Sequence, residues 1–122
     1  WACDRAMRDY KKYEEDELRK REAIGLDGLL NGLNEECVIE IYGKPDYQAI
    51  FVYKEGQSLR EYEGFLSDII KFKTQAEKKN GVVVKRLTWK RNTINRVVWL
   101  KEKKGEWKVI NALAWDSARI NM

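Results

Sequence analysis

Three runs of β-branched and aromatic residues fill the chain between Val82 and Trp115. They read Val-Val-Val-Lys-Arg-Leu-Thr-Trp, then Thr-Ile-Asn-Arg-Val-Val-Trp-Leu, then Glu-Trp-Lys-Val-Ile-Asn-Ala-Leu-Ala-Trp. Turn-forming polar residues separate them, at Arg91-Asn92-Thr93 and at Lys103-Lys104-Gly105. Such runs suit a pleated, half-buried surface, and short polar breaks join neighbouring strands. The spacing predicts an antiparallel three-stranded meander.

Parity decides which side chains meet, because successive residues of a strand point to opposite faces. Trp107, Val109, Leu113 and Trp115 share parity in the last run, and Val97 and Trp99 in the middle one. A turn centred on Lys103 sets Trp99 opposite Trp107 and Val97 opposite Val109. A three-residue connection at Arg91–Thr93 brings Leu87 and Trp89 to that face; a two-residue one sends them to the other. The three-residue form is preferred, since it gathers Trp89, Trp99, Trp107 and Trp115. That face reads as core beneath a helix, and alternatively as the wall of a ligand pocket. The opposite face, with Ile94, Val98, Leu100, Ile110, Ala112 and Ala114, is apolar enough to be half covered or to meet a partner.

A chain of 122 residues supports one domain with a single core. Its 43% hydrophobic and 36% charged residues suit a small globular unit with a heavily charged surface. No apolar run approaches the roughly 20 residues of a membrane-spanning helix. Three parts are expected: an N-terminal helix or tether over 1–25, short helices over 26–46, and strands over 47–122 with a helical insert near 59–79.

Two cysteines do not make a disulfide framework. Cys37 falls in a predicted helix and reads as a small buried hydrophobe. Cys3 follows Trp1-Ala2 in a chain that opens without methionine. A small residue before cysteine is what cleavage at a bacterial lipoprotein site leaves, so Cys3 is a lipidation candidate; an idle cysteine at an arbitrary boundary is the alternative.

The net charge of +4 is unevenly spread. Lys71 to Lys108 holds thirteen Lys/Arg against three Asp/Glu, whereas Asp4 to Glu22 is balanced at seven against seven. The basic excess therefore lies on the strands and their turns. It suits an anionic membrane surface, an acidic partner or nucleic acid, or simply lysines that guard strand edges.

From Asp4 to about Ala23, Ala6, Met7, Tyr10, Tyr13 and Leu18 give a thin apolar stripe at helical spacing, and Gly25 is the expected stop. Leu26, Leu29, Leu30 and Leu33 follow as a leucine cluster. Asn34 is a good N-cap, Glu35 and Glu36 favour the positive end of a helix, and Gly43 with Pro45 beyond ends it. A short helix is expected over Asn34–Tyr42.

The run Gly32-Leu33-Asn34-Glu35-Glu36-Cys37-Val38-Ile39-Glu40-Ile41-Tyr42-Gly43-Lys44-Pro45-Asp46 resembles the signature of the SmpA/OmlA (BamE-like) family of bacterial outer-membrane lipoproteins. The family's pattern is a glycine, a hydrophobic residue, a capping Thr/Ser, acidic residues, valine, then Leu/Tyr-Gly-x-Pro. The resemblance covers about fifteen residues, with Asn34 as the cap. It implies two helices on an antiparallel sheet, as in the β-lactamase inhibitory protein. It also implies a periplasmic or outer-membrane location and a role in binding a protein partner of the cell envelope. Leu33, Tyr42, Pro45, Tyr47 and Phe51 would then present the interaction surface.

Tyr47 to Tyr53 alternates, with Tyr47, Ala49, Phe51 and Tyr53 on one face and Ile50 and Val52 on the other, and reads as the first strand. Leu59 to about Lys79 recurs at three and four through Leu59, Tyr62, Phe65, Leu66, Ile69, Ile70 and Phe72, which predicts a helix on the sheet; Gly64 weakens it.

Chemistry is hard to find. There is no histidine, the commonest general base and metal ligand. Neither cysteine has metal-ligand spacing, and no glycine-rich phosphate loop occurs. The carboxylate pairs Glu61/Glu63 and Glu35/Glu36 fit a charged surface and a helix N-terminus as well as they fit catalysis. Asp116 reads as a turn cap with Ser117. Lys85, Arg86, Lys90, Arg91 and Arg96 interleave with Trp89 and Trp99, but no RNA-binding motif is present and nucleic acid is not expected.

The expected fold is α+β: N-terminal helices packed on an antiparallel sheet of about four strands that ends in a Trp-rich meander. The expected function is non-enzymatic binding in the bacterial cell envelope, with no catalytic residues, metal or cofactor. Partners would be an envelope protein and an anionic membrane surface. The alternative is a cystatin- or NTF2-like small-ligand domain with its pocket at Trp89, Trp99, Trp107 and Trp115. An enzyme is the weakest reading.

Overall fold

In the computed structural model, which describes residues 2–57 and 64–118, ten elements follow one another. They are α1 (Ala2–Lys20), β1 (Ala23–Gly25), α2 (Asp27–Leu30), α3 (Glu35–Tyr42), β2 (Tyr47–Tyr53), α4 (Leu66–Ile69), α5 (Gln75–Asn80), β3 (Val82–Arg91), β4 (Ile94–Lys103) and β5 (Glu106–Asp116). The strands make one antiparallel sheet in the order β1-β5-β4-β3-β2. The fold is α+β, helices packed on an antiparallel sheet, with five strands rather than about four.

The added strand is β1. The sequence reading carries the first helix to Ala23 and stops it at Gly25, but α1 ends at Lys20 and Gly25 pairs with Leu113. The edge of β5 offers backbone partners that a frayed helix end lacks, and Leu26 N–H donates to Ala112 O at 2.9 Å. Burial of Ile24 and Leu26 adds to the preference.

The short helix α3 follows its caps. Asn34 Oδ1 accepts from Cys37 N–H at 2.9 Å, and Gly43 adopts a φ of 84° while its N–H reaches Ile39 O. The insert does not form the single helix that its periodicity predicts. Leu59, Tyr62 and the Glu61/Glu63 pair lie outside the described residues. Beyond them, α4 closes at Ile70, whose ψ is 119°, and α5 starts afresh from a capping box between Thr74 and Glu77. The strong N-cap at Thr74 competes with helix continuation: the apolar stripe ends at Phe72, and α5, which buries no residue, starts beyond it after an extended link.

Both faces of the sheet are covered. One carries α1, α2 and α3 over Leu87, Trp89, Val98, Leu100, Val109, Ala112 and Ala114. The other carries Leu66, Ile70, Phe65 and Phe72 over Val84, Val97, Trp99 and Trp115. The four strand tryptophans are therefore divided two and two, which corrects the expectation that they share a face. Two local features cause it. Arg91 pairs with Ile94, so the first turn has two residues, Asn92 and Thr93, and Trp89 falls on the helix face. The register of β4 with β5 then shifts between Trp99 and Leu100, which oppose Asn111 and Val109 and leave Ile110 as an extra residue. One inserted residue reverses the alternation. Trp107 and Val109 go with the helices, whereas Leu113 and Trp115 stay with Trp99. The second turn also has two residues, Lys104 and Gly105, both at positive φ as a primed hairpin turn requires.

The first helix is docked and is not a tether. Cys3, Ala6, Tyr10, Glu14 and Leu18 recur along its inner face, and Cys3 forms a disulfide with Cys37 of α3, Cα to Cα 5.8 Å. Cys37 is buried in its helix as the sequence predicts, at 5% exposure, but its sulfur is bonded to that of Cys3. The first turns of the two helices face each other, a relation invisible in a separation of 34 residues. A sulfur bonded to another sulfur cannot at the same time carry a thioether-linked lipid, so the bond takes Cys3 out of the role of lipid anchor.

Candidate functional site

Strand β2 closes the sheet on one side. It pairs with β3 along its whole length, from Tyr47 opposite Thr88 to Tyr53 opposite Val82, and no described strand pairs with its other edge. Its sequence, Tyr-Gln-Ala-Ile-Phe-Val-Tyr, holds no charge, proline or glycine. Edge strands are usually guarded by lysine, proline or a bulge, because their outward N–H and C=O groups are a template for another chain. This edge has none of those guards.

Each face of β2 has its own chemistry. On the helix face, Ile50 is 57% exposed and Val52 43%, and Val83 opposite Val52 is 44% exposed. The helix layer stops short of them at Lys85, whose Nζ donates to both oxygens of Glu35 at 2.8 and 3.1 Å and lies 4.7 Å from the Trp107 ring. On the other face, Tyr47 is 61% exposed with Lys90 Nζ 5.6 Å from its ring, and Phe51 is half-buried with the Arg86 guanidinium at the same distance. Cations against aromatic faces contribute modestly where solvent reaches them.

The corner before β2 sets its position. Trp89 Nε1 donates to Gly43 O at 2.9 Å, and Asp46 N–H donates to Thr88 O. The Asp46 carboxylate accepts from Lys90 N–H at 2.7 Å and pairs with Arg91. The backbone donor of Lys90, with Arg91 beside it, holds this carboxyl below the usual carboxylate range. The Gly-x-Pro segment is thus clamped to the end of β3, and its residues serve the start of β2.

The expected interaction residues do not form one surface. Tyr47 and Phe51 lie together on β2. Leu33 is buried in the helix-side core, and its carbonyl accepts from Val109 N–H. Pro45 is half-buried within the clamp. Tyr42 turns inward against Tyr10 and Trp89, and its hydroxyl is buried with no hydrogen-bond partner among the described residues. Tyr42 packs inward because the helical period that marks it as apolar also aims it at the sheet, whereas Leu33, between α2 and α3, is held against the sheet by its backbone bond to Val109. Ile50, Val52 and Val83 were the missing members. For Ile50 and Val52 the signal was the charge-free run that they share with the expected Tyr47 and Phe51; Val83 lies on β3, outside that run.

The proposed Trp pocket fares differently. Trp89 and Trp99 are fully buried, and Phe65 fills the space beside Trp99 with ring centroids 4.7 Å apart. Trp107 lines two open grooves of about 180 and 290 Å³, at or below the small end of ligand sites. A further groove, of about 310 Å³, runs beside Glu14 and Arg96, whose charges are spent on each other. Among the described residues no cluster of three or more His, Cys, Asp or Glu could hold a metal ion. No helix of the described chain is long and apolar enough to cross a membrane. Comparison with protein-family models, curated proteins and solved structures finds no match to this chain.

Proposed function

We propose that this chain is a non-enzymatic protein-binding module of the bacterial cell envelope, and that β2 is the strand through which it binds. The observation that carries the reading is an unguarded, charge-free edge strand with exposed Ile50 and Val52 on one face and Tyr47 on the other. Strand addition to such an edge takes affinity from backbone hydrogen bonds and specificity from alternate side chains. The resemblance of residues 32–46 to SmpA/OmlA proteins favours the envelope and an accessory role in outer-membrane assembly or maintenance. The Cys3–Cys37 bond supports the same compartment, because disulfides persist where the surroundings are oxidising.

A second contact, with an anionic membrane surface, is favoured by one further observation. Lys78 and Lys79 of α5 and Lys103 and Lys104 of the β4–β5 turn are all exposed, and an ion pair from Lys101 to Glu77 at 3.6 Å ties the two segments together.

Site-specific photo-crosslinking in cells tests the binding reading. A benzoylphenylalanine at position 50 should trap a protein, and the same probe at exposed Met7 of α1 should not. Equal yields at the two positions, or no protein adduct at position 50, would overturn it.

A further inference from the structure

We propose that the chain that occupies β2 is a second copy of this protein, joined strand to strand about a two-fold axis at Ile50. This rests on the reading of β2 as a docking strand and names its partner. Antiparallel pairing about an axis normal to the sheet keeps the helices of both copies on one side and fuses two five-stranded sheets into one of ten strands.

Three features of the strand support self-pairing in this register. Side chains fit across the axis: Ile50 meets Ile50, Ala49 meets Phe51 of the second copy, and Gln48 meets Val52. A small residue opposite a large one lets the two rows interdigitate, and such cross-strand pairs are the unit of sheet stabilisation. Charge also agrees. Each copy carries +4, yet Tyr47–Tyr53 is neutral, so no like charges meet along the strand. At each end of the paired region, Asp46 faces Lys54 of the second copy, an acid against a base. Third, Ile50 and Val52 are exposed in the single chain, and the register places them beside the axis.

A seven-residue strand pair sits at the small end of specific interfaces, so the dimer should be a weak, concentration-dependent one. Sedimentation velocity of the full chain from a few to several hundred micromolar tests it, with Ile50→Lys and Ile50→Asp as variants. Ile50 is exposed, so both variants should keep the wild-type circular dichroism spectrum. The wild type should pass from monomer to dimer with concentration. Each variant alone should stay monomeric, because its charge meets itself across the axis. Mixed one to one, the two variants should recover a heterodimer.

A wild-type chain that stays monomeric throughout would overturn the proposal. So would an Ile50→Lys protein that dimerises like the wild type, or a mixture that fails to pair. A monomeric wild type that still crosslinks to a different protein through position 50 would sink the dimer and leave the docking strand standing. Absence of any crosslink there would sink the docking strand itself.

Discussion

Glu14 and Arg96 meet from positions 82 residues apart, the Arg96 Nε donating to a Glu14 oxygen at 2.8 Å while an Nη reaches the other. Their side chains are 7% and 14% exposed, and the pair lies between α1 and the middle strand of the sheet. Burial works against the charged guanidinium, but the hydrogen bonds and charge of Glu14 outweigh it and raise the Arg96 pKa. The pair locates the helix over the sheet; charge alone is not a source of net stability when both partners are buried.

Removing one partner is the costly change. Glu14→Gln keeps the side-chain volume and leaves Arg96 without its counter-charge. It should lower stability by about 3 kcal/mol, the lower part of the range for orphaning one member of a buried pair. Replacing Glu14 and Arg96 together by methionine should cost less than Glu14→Gln alone. Urea unfolding of the wild type and the two variants measures the difference, and a Glu14→Gln loss within experimental error of zero would show that the pair is solvated in solution.

Tyr42 gives the opposite sign. Its hydroxyl is buried without a partner, and burial, with the Glu14 carboxylate nearby, pushes the phenol above its ordinary range. A buried donor that has lost its water and gained nothing is a liability. Tyr42→Phe should therefore be neutral or stabilising by about 0.5–1 kcal/mol. A marked destabilisation in the same unfolding assay would mean that an ordered water or an unseen group serves that hydroxyl.

Reduction should loosen one part of the molecule first. The Cys3–Cys37 bond closes a loop of 34 residues, for which chain entropy gives a stabilisation of about 3–4 kcal/mol. Cys3→Ala with Cys37→Ala should lose that much. Amide exchange should quicken along α1 before it quickens in β3 to β5, because the sheet contacts of the helix are few beside those between strands. Uniform quickening across the whole chain would contradict this order.

The corner at Asp46 should respond to acid. Its folded pKa is depressed, chiefly by the Lys90 N–H and then by Arg91. A group of this kind contributes stability above its unfolded pKa, and that contribution is lost as the pH falls through the folded value. The deficit of Asp46→Asn should thus be full above about pH 5 and shrink as the pH drops below about 4. Carboxyl carbon shifts followed by NMR should give Asp46 a midpoint below the ordinary aspartate value of about 3.9. A midpoint at or above it would refute the clamp.

Elements with local signals were legible in the sequence. Asn34 and Gly43 bracket α3 by their own capping chemistry, and Tyr47–Tyr53 matches β2 residue for residue. What parity decides was not. A turn shorter by one residue and one extra residue at Ile110 each invert every side chain beyond them, and neither leaves a mark in hydropathy. β1 was hidden because three residues are too few for a period, and its pairing depends on β5, far away in the chain. The disulfide and the Glu14–Arg96 pair are likewise relations between distant positions. β2 was visible as a strand, but its place at the edge of the sheet, which makes it a candidate site, is set by topology.

The cross-link between the first turns of α1 and α3 makes a covalent ring of residues 3 to 37. The exposed Arg19-Lys20-Arg21 stretch, where α1 gives way to the sheet, lies inside that ring. A protease that cuts there opens the ring without releasing a piece, since both halves stay tied at Cys37. The nicked protein keeps its first helix beside the sheet and runs as one species until a reductant separates it into two.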